Sequence, residues 1–461
     1  MKVRIPLLPL LFGVLCLIAP MAYSQSSSVL DAYIQEGLKS NLQLQQEQLS
    51  YQRSVESLAL ARALFLPQVS ANSSYQFAHG GRKISIPVGD LVNPVYQNLN
   101  QINNALNTGA PQYPLIANQT TNFLATNFQD TKVRVIQNIF NPDIYFNYKA
   151  QKDLITVQQA QKNAYENQLK YEIISAYYQY MQSEDALKIL SQSRVLLQEF
   201  LKVNQKLVAN ARATKDVVLN TEYELSNTDQ QLAENEKNNQ VARSYFNFLL
   251  NRDLSAAIIK DSLLAHNGGD TESLSSLTTT ALQQRNELKQ LQNGLRANDD
   301  LVRLSKGSAY MPKVNVVGDA GYQGYYYKFD NTQQYWLVQF GLSWDLFKGG
   351  EKRTKIQQAK IDYQVMENKM EQLKRQIELQ VIQSYYELDA AEQSLATSQS
   401  RVKSSEKTFQ IIRAKYNEGQ AILLEYLDAQ NKLTTARLTQ SINNYELLRK
   451  DAALRKTISS L

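Results

Sequence analysis

Long parts of this 461-residue chain lack the residues that break helices, and this constrains the fold more than any single motif. No proline lies between residues 143 and 311, none follows Pro312, and Gly419 is the only glycine after Gly350. The tracts in between are rich in Gln, Lys, Glu, Leu and Ala, which favour helices. We therefore predict very long helices, one of them running from Asp143 to Val208 and about 100 Å long at 1.5 Å per residue.

Each long tract has one place where the chain is predicted to turn. Gly419 can take the left-handed conformation at a helix C-cap at least cost, so it predicts a turn between two long helices. In the earlier tract Asn210 begins the predicted turn, because asparagine is the next best left-handed residue. Thr214 is the predicted N-cap of the following helix, with Asp216 in its first turn.

Residues 1–24 have the pattern of a secretory signal peptide. Lys2 and Arg4 form its basic end, an apolar stretch follows, and small residues precede a predicted cleavage site at Gln25. The only cysteine, Cys16, lies within this segment, so we expect no disulfides in the exported chain. No apolar run of about twenty residues follows, which argues against a transmembrane helix but not against membrane β-strands, which need only about ten alternating residues.

The composition supports neither an enzyme nor a nucleic-acid-binding protein. A formal net charge of +6 is modest for 461 residues and makes no case for nucleic acid as a partner. His79 and His266 lie far apart in predicted loops, and no phosphate-binding loop, nucleophile elbow or metal-ligand spacing is present. We expect no cofactor and no metal.

Four stretches alternate between apolar and polar residues, as strands with one apolar and one wet face do. The clearest has an apolar face formed by Trp336, Val338, Phe340, Leu342, Trp344 and Leu346. Tyrosines cluster before it, as in the aromatic girdle of a membrane barrel, and the alternative is the edge of a β-sandwich. Residues 79–119 predict a long loop with room for a short helix around Leu99 to Leu106. The strands are predicted at about residues 67–78, 121–140, 313–325 and 334–347.

The order helix, strand, strand, long helix, turn and helix occurs twice. Pro67-Gln68-Val69 corresponds to Pro312-Lys313-Val314, and Ala176-Tyr177-Tyr178 to Ser384-Tyr385-Tyr386. The spacing between equivalents falls from about 245 to about 208 residues because the second copy lacks the long loop. The predicted divisions are a first repeat over residues 25–250, a connector over 251–280 and a second repeat over 281–461.

Four strands cannot close a membrane barrel, since about eight is the observed minimum and open edges are not tolerated in lipid. The chain is therefore expected to oligomerise. Several copies with four strands each would build a barrel too wide for side chains to fill, which leaves a water-filled lumen. The helices would continue that barrel as a helical tube.

With this plan the chain resembles the outer-membrane efflux protein family, the TolC-type outer-membrane factors. Two local segments carry the resemblance, Trp344 to Gly350 between strand and helix and Tyr416 to Gln430 around the second turn; Arg285 to Leu288 is similar to a third. The resemblance implies a mainly helical homotrimer with a twelve-stranded β-barrel in the outer membrane of a diderm bacterium and a twelve-helix periplasmic tunnel. The connector and the termini would form a belt around the tunnel. The implied partners are outer-membrane lipid, a periplasmic adaptor protein and an inner-membrane pump of the RND, ABC or MFS type.

Two carboxylates, Glu425 and Asp428, follow the second turn and lie three residues apart on one helix face. The resemblance implies that they ring a pore constriction in the trimer, where clustered like charges attract cations. The alternative is a solvated helix face.

The resemblance also implies a latch that closes the gate between the two turns. Tyr416, near Gly419, matches its tyrosine and Asp216 its acidic partner, but Ala421 stands where the family has a basic residue. Lys215 is a candidate for the missing charge, and an exposed lysine is the alternative.

Two classes of function stay open at this point. The first is a passive export duct, serving either drug efflux or protein secretion. The second is an exported coiled-coil or filament protein without a pore, which the alternating strands and the duplication disfavour.

Overall fold

The computed structural model describes residues 29–260 and 272–461. The predicted signal peptide lies outside these residues, as does the part of the predicted connector that contains His266. In the described ranges no helix is both long and apolar enough to cross a membrane. The helices are α1 Val29–Ser40, α2 Leu42–Ala63, α3 Val88–Ala105, α4 Pro142–Ala209, α5 Lys215–Leu249, α6 Leu274–Gln284, α7 Asn286–Tyr310, α8 Glu351–Asn417 and α9 Leu423–Thr457.

The prediction of a mainly helical chain is confirmed, and two helices are exceptionally long. α4 has 68 residues and α8 has 67. Pro142 begins α4 at a position where a missing N–H costs nothing, because the first N–H groups of a helix have no partner within it.

The described residues form two compact units, and each takes segments from both predicted repeats. One unit contains residues 29–45, 166–260, 272–279 and 380–461, and it holds both predicted turns. The other contains residues 46–165 and 280–379, and it holds the strands. The compact units are therefore a different division of the chain from the predicted repeats.

The strands form one four-stranded antiparallel sheet and one two-stranded ribbon. The sheet has the order β1-β4-β5-β6, and β2 pairs with β3 in the ribbon. Within the described chain β1 and β6 each have a neighbour on one side only, so both outer strands of the sheet are open edges. The strands are β1 Gln68–Gln76, β2 Lys83–Ile86, β3 Gln119–Asn122, β4 Phe128–Phe140, β5 Lys313–Tyr325 and β6 Gln334–Ser343.

One face of the four-stranded sheet is apolar and exposed. One row of residues paired across the four strands on this face consists of Val69, Val135, Gly318 and Val338. On the same face Trp336 and Phe340 are 78% and 79% exposed. A sheet face this apolar needs a covering that the described chain does not supply.

The other face of the sheet is polar and carries ion pairs. Arg134 on β4 donates from two nitrogens to the two carboxylate oxygens of Asp319 on β5, both at 2.8 Å. Nearby, the Tyr335 hydroxyl donates to Asp130 at 3.0 Å, and Asp130 also pairs with Lys132. The sheet thus has one face suited to lipid and one suited to water.

The region predicted as a long loop is folded, which corrects the prediction for residues 79–119. The helix there is α3, which begins eleven residues before the predicted short helix and continues through Pro94. Its polar side chains bond the backbone of a later segment, so the glycines and prolines of this region belong to a folded element. The strand predicted from residue 121 is two strands, β3 and β4, separated by residues 123–127.

Candidate functional site

The turn between α8 and α9 has the geometry predicted from Gly419. Gly419 has φ of 75°, its N–H donates to the Tyr416 carbonyl at 3.0 Å, and the Gln420 N–H donates to the Lys415 carbonyl at 2.8 Å. This pair of bonds is a Schellman-type C-cap, in which glycine takes the left-handed position at least cost.

The turn between α4 and α5 has the same geometry, but the left-handed residue is Ala211 and not Asn210. Ala211 has φ of 53°, its N–H donates to Val208 at 3.0 Å, and the Arg212 N–H donates to Leu207 at 2.8 Å. α4 extends to Ala209, so Asn210 is too early to occupy the C-cap position that Gly419 holds in the other turn. Thr214 is the N-cap residue of α5, with no side-chain cap bond.

Glu425 lies in the first turn of α9 and is exposed. Its Oε2 accepts a hydrogen bond from the backbone N–H of Ile422 at 3.1 Å. This contact ties the carboxylate to a free N–H at the helix start, where the helix dipole also favours negative charge.

Asp428 is exposed on α9 and forms an ion pair with Lys432, with 2.6 Å between Oδ2 and Nζ. The two residues are four apart on the helix, so the pair is local. Glu425 and Asp428 flank a buried stripe that begins with Tyr426, Leu427 and Ala429. The carboxylates therefore point away from the core. Among the described residues, Asp428 forms an ion pair and Glu425 forms none.

In the described part of the chain, the Tyr416 hydroxyl bonds to α4 and not to the turn between α4 and α5. The hydroxyl donates to the Asn204 side-chain oxygen at 3.0 Å, and the Asn204 amide donates to the Thr221 hydroxyl on α5 at 3.0 Å. Thr221 in turn donates to the Val217 carbonyl at 2.8 Å. Asn204 and Thr221 are fully buried, so this is a hydrogen-bonded chain across three helices.

An aromatic cluster surrounds that chain. Phe200 stacks on Tyr426 with ring centroids 4.0 Å apart, and Phe409 and Tyr416 approach Tyr426 at 5.5 and 5.3 Å. Burial raises the pKa of Tyr416 and of Tyr426 above the ordinary value of 10, because the charged phenolate is disfavoured away from water. The cluster fixes α9 against α4 and α8 next to the second turn.

Sequence reasoning missed Asn204 and Thr221. The available signal was the stripe of Leu197, Phe200 and Asn204, whose spacing of three and four places a polar residue on the buried face of α4. A polar residue at such a position requires a partner.

The remaining predicted residues, Lys215 and Asp216, are exposed at the start of α5. Within the described chain no hydrogen bond or ion pair joins either of them to Tyr416. Asp216 and Asp428 line one groove between the starts of α5 and α9, together with Ile422 and Leu424. Asp216 thus lies in the same groove as Asp428, one of the two residues predicted to form the constriction. The latch between Tyr416 and Asp216 stays a prediction.

Solved outer-membrane channels have a fold similar to that of this chain. The structure resembles the Campylobacter jejuni CmeC outer membrane channel with a TM-score of 0.78 and 13% identity, covering 100% of this chain and 94% of that one. It resembles the outer-membrane channel OprN with a TM-score of 0.73 and 17% identity, covering 94% and 90% of the two chains. At such low sequence identity, these TM-scores establish the fold alone.

Sequence comparison gives similar proteins as well. A family model described as outer membrane efflux protein matches residues 277–460. The outer membrane protein TolC of Escherichia coli (strain K12) is 22% identical over 481 residues, which cover 99% of this chain and 86% of the relative. The resemblance to the outer membrane efflux protein family that the sequence predicted is therefore confirmed, through a match to its second part and through relatives of similar length.

Proposed function

We propose that the chain is one protomer of a homotrimeric exit channel in the outer membrane of a diderm bacterium. In this assembly β1 of each copy pairs with β6 of the next, and three four-stranded sheets close into one twelve-stranded barrel. Substrate passes without chemical change from a periplasmic tip through the helices and the barrel to the cell exterior.

The observation that carries the proposal is the sheet, which is incomplete in a single chain. Both outer strands are open edges, and one face is apolar and exposed. Closure with further copies satisfies the edge N–H and C=O groups, and lipid covers the apolar face. The strands have 9, 13, 13 and 10 residues, which suits the roughly nine to eleven tilted residues that a membrane crossing needs.

The polar face of the sheet then lines the lumen. The pairs of Arg134 with Asp319 and of Lys132 with Asp130 place balanced charge there, so the barrel wall is wet without a large net field. Aromatic residues at the ends of the strands, such as Tyr75, Phe77, Trp344 and Phe347, are exposed and suit the membrane interfaces.

At the tip, the proposed constriction is built from Glu425 and Asp428 of three copies. Because Lys432 pairs with Asp428, Glu425 contributes most of the uncompensated negative charge. The ring attracts cations and is open to block by a multivalent cation. Tyr416, Gly419, Asp216, Lys215 and Asn210 belong to the proposed gate around it.

The energy for transport comes from partners, in this proposal a periplasmic adaptor and an inner-membrane pump of the RND, ABC or MFS type. Support comes from the match of residues 277–460 to the outer membrane efflux protein model and from the similarity of the chain to proteins named TolC along almost its whole length. Substrate choice lies with the pump, so drug efflux and protein secretion are both compatible with one duct.

Single-channel recording in a planar bilayer tests the proposal. We expect a small, cation-selective conductance in the wild type and block by a trivalent cation added on the side of the tip. Glu425→Gln should weaken the block more than Asp428→Asn, and Glu425→Gln/Asp428→Asn should abolish it. Glu222→Gln removes an exposed carboxylate from α5 and serves as the control, with block unchanged.

Two results would count against this function. A conductance with block that the double variant leaves intact would remove the constriction from Glu425 and Asp428 while keeping the duct. Protein that extracts without detergent and forms no channel would reject the duct altogether and favour an exported filament.

A further inference from the structure

The segment between β1 and β4 stands at one end of the sheet. The other end of each strand joins a helix, because α2, α4, α7 and α8 adjoin β1, β4, β5 and β6 there. We call residues 83–122, which contain β2, α3 and β3, the rim segment. In a chain that is 20% charged, residues 91–129 contain no Asp, Glu, Lys, Arg or His.

The rim segment is folded through asparagine side chains on one face of α3. Asn93 exchanges two hydrogen bonds with the backbone of Ile116, at 2.9 and 2.8 Å, and Asn100 does the same with Tyr113, also at 2.9 and 2.8 Å. Gly89 allows the first turn of α3 to approach the backbone of Ile116 closely, since a Cβ at position 89 would lie 2.3 Å from the Ile116 carbonyl oxygen. One face of α3 is therefore bound to the segment that follows it.

The opposite face of α3 is apolar and has no cover within the described chain. Leu99, Ile102 and Leu106 are exposed, as are Leu91 and Val95. The apolar positions follow a spacing of four and three residues, which is the heptad pattern of a coiled-coil seam. Its members are Val88, Val92, Val95, Leu99, Ile102 and Leu106.

The seam fits other copies of itself better than it fits lipid. Helices that lie on a membrane surface carry Lys or Arg on their polar face, and α3 has neither. Its only charged residue, Asp90, bonds Asn118 within the rim segment at 2.8 Å. The core of a protein interface is depleted of charged residues, so the uncharged seam suits a contact between identical chains.

The residues of the seam also favour a particular number of helices. In heptad terms Leu99 and Leu106 take the a position and Ile102 takes d, with valine at the earlier positions. Leu at a with Ile at d favours three or four helices over two. The open edges of the sheet in the same unit point to a partner of the same kind.

We propose that the three rim segments of the trimer pack α3 against α3 along this seam and form a cap that narrows the outer mouth of the barrel. This inference rests on the proposed trimeric channel. The cap is an outer constriction separate from the one proposed at Glu425 and Asp428.

Cysteine cross-linking tests the contact. In a Cys16→Ser background, Ile102→Cys places a thiol on the seam and Gln101→Cys places one beside it on an exposed side of the same turn. Mild oxidation of intact outer membranes should join two of the three chains at Ile102→Cys, with a yield about tenfold above that at Gln101→Cys, because only seam positions bring two Cβ atoms within disulfide range.

Native mass measurement of the same samples separates the two proposals. A trimer with cross-links at position 102 supports the cap, and a trimer without them overturns the cap and leaves the channel standing. A monomer overturns both.

A second variant pair tests the narrowing. Ile102→Asp should separate the three helices and raise single-channel conductance about twofold or more, while Gln101→Asp leaves it unchanged. Equal conductance in both variants, in trimers of normal mass, would contradict a cap.

Discussion

At the residue scale, a buried asparagine holds together the helices next to the two turns. Asn204 is 0% exposed, and its side chain uses its oxygen for Tyr416 and its amide for Thr221. When a buried polar group loses its partner, the loss of stability exceeds the net contribution of the hydrogen bond, because the group cannot bond to water instead. The Tyr416 hydroxyl should therefore matter for stability independently of any gating role.

We expect Tyr416→Phe to destabilise the protein by about 1–3 kcal/mol, the cost of leaving the Asn204 oxygen without its donor. Thermal unfolding followed by far-UV circular dichroism measures the change. Tyr223→Phe is the control, since Tyr223 is 70% exposed on α5. Equal unfolding midpoints in the two variants would show that the bond contributes nothing.

The two turns provide a matched pair of substitutions with opposite expected signs. Ala211 holds a left-handed conformation that costs an L-residue about 1–2 kcal/mol, so Ala211→Gly should raise the unfolding midpoint. Gly419→Ala should lower it. A Cβ at Gly419 would meet nothing within 4 Å, so the loss would come from the backbone conformation alone.

Changes of the same sign in both variants would contradict this assignment of strain. The same unfolding measurement applies, with each variant serving as the control for the other.

Some residues of the site could be predicted from sequence and others could not. Gly419 was predictable because few other residues could end α8 there. Ala211 was not, because α4 ends at Ala209, so the left-handed position falls two residues later on an alanine and not on Asn210. Lys432 could have been identified from its spacing to Asp428, whereas the pairing of Tyr416 with Asn204 depends on how α8 packs on α4.

At the element scale, close strand contacts constrain the polar face of the sheet more than the apolar face. A Cβ at Gly321 would lie 2.1 Å from the Thr131 carbonyl oxygen and 2.6 Å from the Lys132 Cα, whereas one at Gly318 would meet nothing within 4 Å. Both glycines lie on β5. The neighbouring backbone leaves no room for a side chain at Gly321, whereas it leaves room for one at Gly318.

We expect Gly321→Ala to destabilise the sheet by about 1–3 kcal/mol through overpacking and Gly318→Ala to have little effect. Trp336 and Trp344, in and just after β6, are the only tryptophans, so their fluorescence reports the sheet while circular dichroism reports the helices. A midpoint lowered equally by the two variants would rule out the steric explanation.

An ion pair between α8 and α9 gives a pH dependence with a definite sign. Lys450 donates to Glu387 at 2.9 Å, which lowers the pKa of Glu387 below its ordinary 4.5 and raises the pKa of Lys450 above its ordinary 10.5. The contribution of Glu387 is present above pH 4.5 and is lost as the pH falls through its lower folded pKa. The contribution of Lys450 is present below pH 10.5 and is lost above its raised folded pKa.

The pair is about a third exposed, so we expect Glu387→Gln to reduce stability at pH 7 by at most about 1 kcal/mol. The difference from wild type should shrink as the pH falls below 4.5 through the lowered folded pKa of Glu387. Denaturant unfolding at several pH values measures it, with Glu418→Gln as an exposed control. A difference that does not shrink at all as the pH falls below 4.5 would contradict the ion pair as its source.

The alternating strands were predictable because one face is apolar and the period is two. The rim segment was not, because Gly89 and Pro94 are residues that usually mark loops. In the rim segment, Gly89 permits α3 to lie close to the backbone of Ile116. Asparagines of α3 hold the two parts together by bonding the backbone of residues 113 and 116.

At the scale of the whole molecule, the duplicated sequence and the compact units describe different things. α4 and α8 each contribute residues to both units, so a repeat in sequence is not a domain in space. The proposed oligomer rests on the sheet, since the edge strands β1 and β6 each have a neighbour on one side only within the described chain.

Electron cryomicroscopy of the detergent-extracted protein tests the trimeric channel most directly. We expect threefold particles in which β1 of each copy pairs with β6 of its neighbour in a closed barrel of twelve strands around an open lumen. Particles of another symmetry, or single chains whose β1 and β6 edges are covered by their own residues, would contradict it.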